Sequence, residues 1–280
     1  MKNIIPHDLT GKALLDFIVK NESLIFHAKK SEIKQADSVS STTMFVNEKG
    51  SLVSKAEITE TNIDPTKIKA VVVINTTNYL DSHGDVHIPG LWKKSLADNK
   101  STGFYLLNSH SRQFVDVIAE GCTAVAKTMG WKDLGINLSG TTEALVFTCI
   151  IDQNRNDYMF SQYQKGYVKK HSVGMQYVKI VTCINDEDYP VQKENWDKYI
   201  EMVANKQDAI DEGYFWAVLE AKVIEGSAVL FASNCMTPTM EVSEIEEDDA
   251  TKNEPPKGTH EEPATKSLLE LINETTFINY

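Results

Sequence analysis

The sequence predicts a mixed α/β fold dominated by strands, in which one β-barrel or highly curved sheet carries helices around it. Three observations predict this. Apolar segments rich in Val, Ile and aromatic residues recur from about position 51 to 233, punctuated by Gly, Pro and Asn. Helical periodicity is confined to a few short windows between them. The chain has 280 residues, 41% of them hydrophobic, enough for one sizeable core or two small ones.

In chain order, "GKALLDFIVKNESLIFHA" places Leu14, Leu15, Ile18 and Val19 at helical spacing. A polar stretch, "KKSEIKQADSVSSTT", follows. "SLVSKAEITETNI" and "KIKAVVVINTTNYL" read as strands, the second because its β-branched run is short and valine-rich. "DSHGDVHIPG" reads as a loop and "LWKKSLADNK" as a short helix. "TGFYLLNSH", "DVIAEGCTAVAKT" and "TEALVFTCIID" read as strands. "QNRNDYMFSQYQKG" is a helix with Gly166 as its C-terminal cap. The strand "YVKKHSVGMQYVKI" comes next. In "VQKENWDKYIEMVANKQDAI", residues 192–211, Trp196, Tyr199, Ile200 and Val203 fall on one helix face. A long strand region, "GYFWAVLEAKVIEGSAVLFAS", ends the ordered part.

Composition narrows the function classes. No apolar run approaches the roughly 18 residues that span a membrane, and the charged start lacks the apolar core of a secretory signal. The net charge is −12, yet residues 241–280 hold 11 acidic and 3 basic side chains, so eight of those charges sit there. A basic groove for nucleic acid is not indicated. The four cysteines, Cys122, Cys149, Cys183 and Cys235, show no CxxC spacing and read as reduced, mostly buried thiols of a cytoplasmic protein. The expected organisation is an N-terminal extension (1–47), a strand-rich domain (48–240) with a helical insertion (183–212), and an acidic disordered tail (241–280). The tail ends in the short apolar segment "KSLLELINETTFINY", a candidate binding segment.

Several residues bear chemistry. His83 and His87 are four apart, but Gly84, Pro89 and Gly90 disfavour the helix that would aim both at a metal, and a polar turn is the simpler reading. His110 ends an apolar strand, where a histidine serves as a general base or, taken alone, more often as a capping or surface residue. Ser172 follows His171, and on a strand the two face opposite sides. Ser172 lacks a Gly-x-Ser-x-Gly elbow, because Lys170 stands two residues before it, and alone it too reads as structural. Glu225 lies in the apolar run "AKVIEGSAVLF", where a carboxylate needs a partner. Glu220 is the competing acid, with opposite strand parity.

Taken in order, "LDSHGDVHIPGLWKKSL", "GFYLLNSH", "VKKHSVGMQYV" and "EGSAVLFASNCMTP" resemble the prohead maturation proteases of tailed phages, which share a fold with the herpesvirus assemblins. The resemblance covers roughly residues 68–240. An Asp-x-x-Gly-Asp loop followed by Pro-Gly is matched by Asp81, Gly84, Asp85, Pro89 and Gly90. An apolar strand ending in Asn-x-His is matched by Asn108 and His110. A Ser-(Val/Ile)-Gly-(Phe/Met) strand is matched by Ser172, Val173, Gly174 and Met175, and a Glu-x-Ser strand with a following Asn turn by Glu225, Ser227, Ala232 and Asn234. Two features depart from the pattern: Ala232-Ser233-Asn234 stands where Pro-Ala-Asn is usual, and residues 183–212 look inserted.

The resemblance implies an assemblin-like closed β-barrel surrounded by helices. It implies a serine endopeptidase without cofactor or metal, in which Ser172 is the nucleophile, His110 the general base and Glu225 the orienting acid. The implied substrates are the major capsid protein and scaffold, with self-cleavage as a further event and a homodimer as a candidate assembly. Neither nucleic acid nor membrane is an expected partner. The implied setting is the immature capsid in the host cytoplasm, with a prophage as one source of the gene. The alternatives are an inactive capsid-assembly or scaffolding protein on the same fold, and a metal-dependent hydrolase using His83, His87 and His110.

Overall fold

The computed structural model describes residues 4–33 and 63–246. The expected strand over 51–62, the polar stretch beyond residue 33 and the apolar segment near the C-terminus lie outside the described residues. The N-terminal window forms two helices, α1 (Gly11–Lys20) and α2 (Glu22–Ser31), rather than one. Asn21 makes the break. Both its backbone N–H and its Nδ2 donate to the Phe17 carbonyl, at 3.0 and 2.8 Å, which satisfies the end of α1. Ile18 and Ile25 are buried in the main core.

Among the described residues eight strands form one sheet: β1 (Ile63–Thr76), β2 (Asp85–His87), β3 (Phe104–Asn108), β4 (Val117–Gly130), β5 (Thr141–Asp152), β6 (Lys170–Ile184), β7 (Tyr214–Val229) and β8 (Thr239–Glu246). β7 is the hub. It pairs antiparallel with β6 along 170–184, and its other edge takes β2 and then β3, both parallel. From β3 the sheet continues antiparallel through β4, β5 and β1 to β8.

The sheet is open, which corrects the expectation of a closed barrel. β6 and β8 occupy its two ends and form no ladder among the described residues; they meet through an isolated bridge, Lys170–Pro238, through bonds between the His171 backbone and Thr237, and through a bond from the Thr239 hydroxyl to the Val168 carbonyl. A ladder needs successive N–H donors. Pro238 has none, and residues 230–238 form no strand. Helices cover what a closing strand would have covered: α2 and α5 (Pro190–Tyr199) pack on β6, and Asn195 Nδ2 donates to the Thr182 carbonyl.

Other expectations need adjustment. The loop after β1, expected as a polar turn, contains β2, and His87 is a buried residue of that strand. The helical window 192–211 is broken. α5 ends at Tyr199, a 3-10 turn spans Ile200–Met202, and α6 covers Lys206–Glu212. The break has a tertiary cause. Asn205 bonds both the N–H and the carbonyl of Leu80, and the Ala204 N–H donates to the Asn78 carbonyl. Trp196, Tyr199, Ile200 and Val203 still pack in one cluster with Phe215. The remaining helices are α3 (Lys93–Asp98) and α4 (Asp157–Gln164), the latter followed by Gly166 at φ 68°. Residues 241–246, expected in a disordered tail, extend β8 along β1. Cys122 and Cys149 are joined as a disulfide across β4 and β5, not reduced thiols. Their Cα atoms are 4.5 Å apart because the two strands pair there. Cys183 and Cys235 are free.

Candidate active site

Three segments gather at the C-terminal end of the parallel pair β3–β7: the turn after β3, the start of β6 and the end of β7. The turn carries His110. Ser109 and His110 both have positive φ, 53° and 59°, a left-handed conformation that costs non-glycine residues about 1 kcal/mol or more. The turn is held by the Ser109 N–H on the Ala228 carbonyl (2.9 Å) and by the His110 N–H on Ser227 Oγ (3.1 Å).

This turn brings the His110 ring to Glu225. Nδ1 lies 2.6 Å from Glu225 Oε1, and both side chains are almost fully buried. Ser227 Oγ donates to the other carboxylate oxygen at 2.7 Å. Ser227 therefore holds the backbone of the histidine and the carboxylate of its partner at once. That role was not legible from the Glu-x-Ser pattern alone. The carboxylate accepts from Ser227 and faces an imidazole nitrogen, so Nδ1 is the protonated nitrogen in the neutral ring and Nε2 the basic one.

Register places Ser172 on the same face. In the β6–β7 ladder Ser172 is opposite Ser227 and Gly174 opposite Glu225, and directly opposed residues share a face. Gly174 is there for space. A β-carbon on it would overlap Glu225 Oε1 and lie 2.8 Å from the carboxyl carbon. Glycine inside an apolar strand was the sequence signal for such a close approach. Ser172 is 6% exposed. Among the described residues its hydroxyl makes no hydrogen bond, to His110 or to any other group. His110 and Glu225 are thus joined, and Ser172 shares their face without being bonded to them.

His171 points the other way. It is fully buried, its Nε2 lies 2.8 Å from the Tyr163 hydroxyl, and burial pushes its pKa down to about 4. Its backbone is pinned on both sides by Thr237, through its N–H to the Thr237 carbonyl and its carbonyl to the Thr237 hydroxyl. Glu220 pairs with Lys179 in the ladder, five residues of β7 away from Glu225.

A second polar network adjoins Ser172, which lines one small pocket with Asn75, His87, Tyr177 and Asn234. Lys29 of α2, fully buried, contacts Asp85 and stands 3.8 Å above the Trp216 ring. Tyr177 donates to Asp85 at 2.9 Å, and burial together with Asp85 and Asp81 holds its phenol well above the usual range. His87 bridges Tyr177 (3.0 Å) and Asn75 (3.2 Å), so both its ring nitrogens are engaged by protein groups. Asn234 donates to Asn75 Oδ1 and to the Thr76 carbonyl, and accepts from the Met236 N–H. The network runs from α2 to the turn whose Thr237 pins His171, the residue before Ser172. The three histidines of the metal reading are not gathered: His110 sits on Glu225, and both ring nitrogens of His87 are taken by Tyr177 and Asn75. Among the described residues no helix is long and apolar enough to cross a membrane.

Comparison with known proteins gives no relative: no family model, no curated protein and no solved structure matches the chain.

Proposed function

We propose that the protein is a serine peptidase with Ser172 as nucleophile, His110 as general base and Glu225 as orienting acid. The observation that carries this reading is the buried His110 Nδ1–Glu225 Oε1 contact at 2.6 Å, on the sheet face that Ser172 shares. Nε2 of His110 takes the hydroxyl proton as Ser172 Oγ attacks the scissile carbonyl, and returns it to the leaving amine. Water then repeats the sequence on the acyl-enzyme. Glu225 fixes the imidazole tautomer and stabilises the imidazolium, and the buried setting strengthens that interaction. The motif order that resembles prohead maturation proteases supports capsid and scaffold proteins as the substrates, with the immature phage capsid as the setting.

A binding protein on the same scaffold is the second reading. It is favoured by one observation, the lack of a hydrogen bond between Ser172 and His110. Catalytic hydrogen bonds are often long without substrate, and so the first reading is preferred.

The experiment is peptide hydrolysis followed by mass spectrometry, with purified capsid and scaffold proteins and with an unbiased peptide mixture. The wild-type chain cuts peptide bonds, and Ser172→Ala, still folded, loses about a thousandfold or more of the rate. A folded Ser172→Ala protein that cuts at the wild-type rate, or a wild-type protein that cuts nothing, contradicts the reading.

A further inference from the structure

The two end strands of the sheet begin to pair beside Ser172 and then part. The register of the Lys170–Pro238 bridge puts Thr237 opposite His171, and both backbone groups of His171 are taken there: its N–H donates to the Thr237 carbonyl at 3.1 Å, and its carbonyl accepts from the Thr237 hydroxyl. On an extended antiparallel strand the N–H and carbonyl of one residue point to one edge, and those of the next residue to the other. The backbone groups of Ser172 therefore turn towards β7, and those of Val173 turn back to the edge that faces residues 233–237. The same register would bring Cys235 opposite Val173, but no bridge forms there among the described residues. Asn234 draws the chain off the line. Its Oδ1 accepts from the Met236 N–H at 3.1 Å, and its Nδ2 is tied to Asn75 and Thr76.

The gap left by this parting is the small pocket beside Ser172. Ser172 and Val173 line one side of it, Ser233 and Asn234 another. Its volume, about 10 Å³, suits one water-sized group. Val173 is buried with its side chain in the main core, and among the described residues no carbonyl is paired with its N–H. A buried N–H without an acceptor is costly, so the position calls for an oxygen. Ser233 is half-buried, and its hydroxyl makes no hydrogen bond among the described residues. The carboxylate on the pocket wall, Asp81, already accepts at Oδ1 from the His83 and Asp85 N–H groups at 2.8 and 3.0 Å. Both ring nitrogens of His87 are engaged by Tyr177 and Asn75.

We propose that this pocket is the oxyanion hole of the peptidase, with the Val173 N–H as its main donor and the Ser233 hydroxyl as its second. The inference rests on the reading of Ser172 as nucleophile and supplies the group that reading leaves unassigned. As Ser172 Oγ bonds to the scissile carbonyl carbon, its proton passes to His110 Nε2 and the π electron pair of the carbonyl moves onto the carbonyl oxygen. On collapse the pair re-forms the double bond, the C–N bond breaks, and the leaving amine takes the proton from His110. Between these steps the negative charge sits on an oxygen two bonds from Ser172 Oγ. An N–H one residue after the nucleophile, held by the strand and facing a space of one atom, is already oriented for that charge and needs no rearrangement during the reaction. The donor is backbone, so the identity of residue 173 does not mark it in the sequence.

The test replaces Val173 in the full chain by its α-hydroxy analogue through nonsense suppression. This turns one amide into an ester, keeps the side chain and removes the N–H. Acylation of Ser172 by p-nitrophenyl acetate is read as nitrophenolate release, with the adduct located by peptide mass spectrometry. The ester variant acylates about a hundredfold or more slowly than wild type, the loss typical of one oxyanion donor, and Ser233→Ala about tenfold more slowly. A second measurement separates donation from placement. In Ser172→Cys protein, alkylation of the new thiol by iodoacetamide passes through no oxyanion, and the ester leaves its rate within about threefold. An ester variant that acylates at the wild-type rate, or that slows alkylation as much as acylation, overturns the oxyanion assignment while the role of Ser172 stands. A wild-type chain that p-nitrophenyl acetate leaves unacylated at Ser172 contradicts the peptidase reading, and this inference with it.

Discussion

At Gly174 a single methyl group decides whether Glu225 reaches His110. The glycine lies opposite the acid, and the carboxylate rests where a side chain would be. Gly174→Ala is expected to push the carboxylate off Nδ1, lower peptide hydrolysis by about a hundredfold and cost about 1–3 kcal/mol of stability. Unchanged turnover in this variant would show that the His110–Glu225 contact is dispensable. His171 supplies a pH prediction. Its pKa is about 4 in the folded chain against an ordinary 6.5. Between these values the unfolded chain binds a proton that the native chain does not. The stability it lends is therefore full above about pH 6.5 and falls as the pH drops towards 4, by about 3 kcal/mol. Denaturant titrations of wild type and His171→Gln across pH 4–7 check this, and equal slopes would place His171 elsewhere than in a dry core. Strand parity already separated His171 from Ser172 in the sequence. The double grip of Ser227 was not readable there, because it needs the turn geometry of His110.

Among the elements, the strands between 104 and 152 and the strand that begins at Lys170 were readable from alternation and turn residues. β2 was not, since three residues in a Gly- and Pro-rich segment carry no period and pair only because β7 offers a parallel edge. The helical window 192–211 showed the right buried face but not its break, which Asn205 imposes through Leu80. α2 hides the least legible feature. Nothing in "ESLIFHAKKS" marks Lys29, rather than Lys30, as the buried cation. Lys29→Met should cost about 3 kcal/mol or more, because Asp85 keeps its buried charge after losing this partner. Urea unfolding of that variant, with Asp85→Asn restoring part of the loss, measures it. A change below about 1 kcal/mol would mean that the pair does not anchor α2 to the sheet.

For the whole molecule, the eight strands of the described residues and one face of each N-terminal helix, through Ile18 and Ile25, meet around one main core, and the sheet stays open between β6 and β8. Openness was not legible, because closure depends on whether the first and last strands of the order meet, and strand periodicity does not report order. The disulfide was hidden for the same reason: Cys122 and Cys149 become neighbours only through β4–β5 pairing. The candidate site is likewise a property of the entire fold, since His110 comes from the turn after β3, Ser172 from β6 and Glu225 from β7, and none of their local motifs is specific. The most direct measurement is the rate of labelling by a fluorophosphonate, with the modified residue located by peptide mass spectrometry. The assignment of Ser172 as nucleophile and His110 as base requires a single adduct on Ser172, absent in Ser172→Ala and formed at least about a hundredfold more slowly in His110→Ala. No adduct on Ser172 in the folded wild-type protein, or labelling there at the same rate without His110, would contradict it.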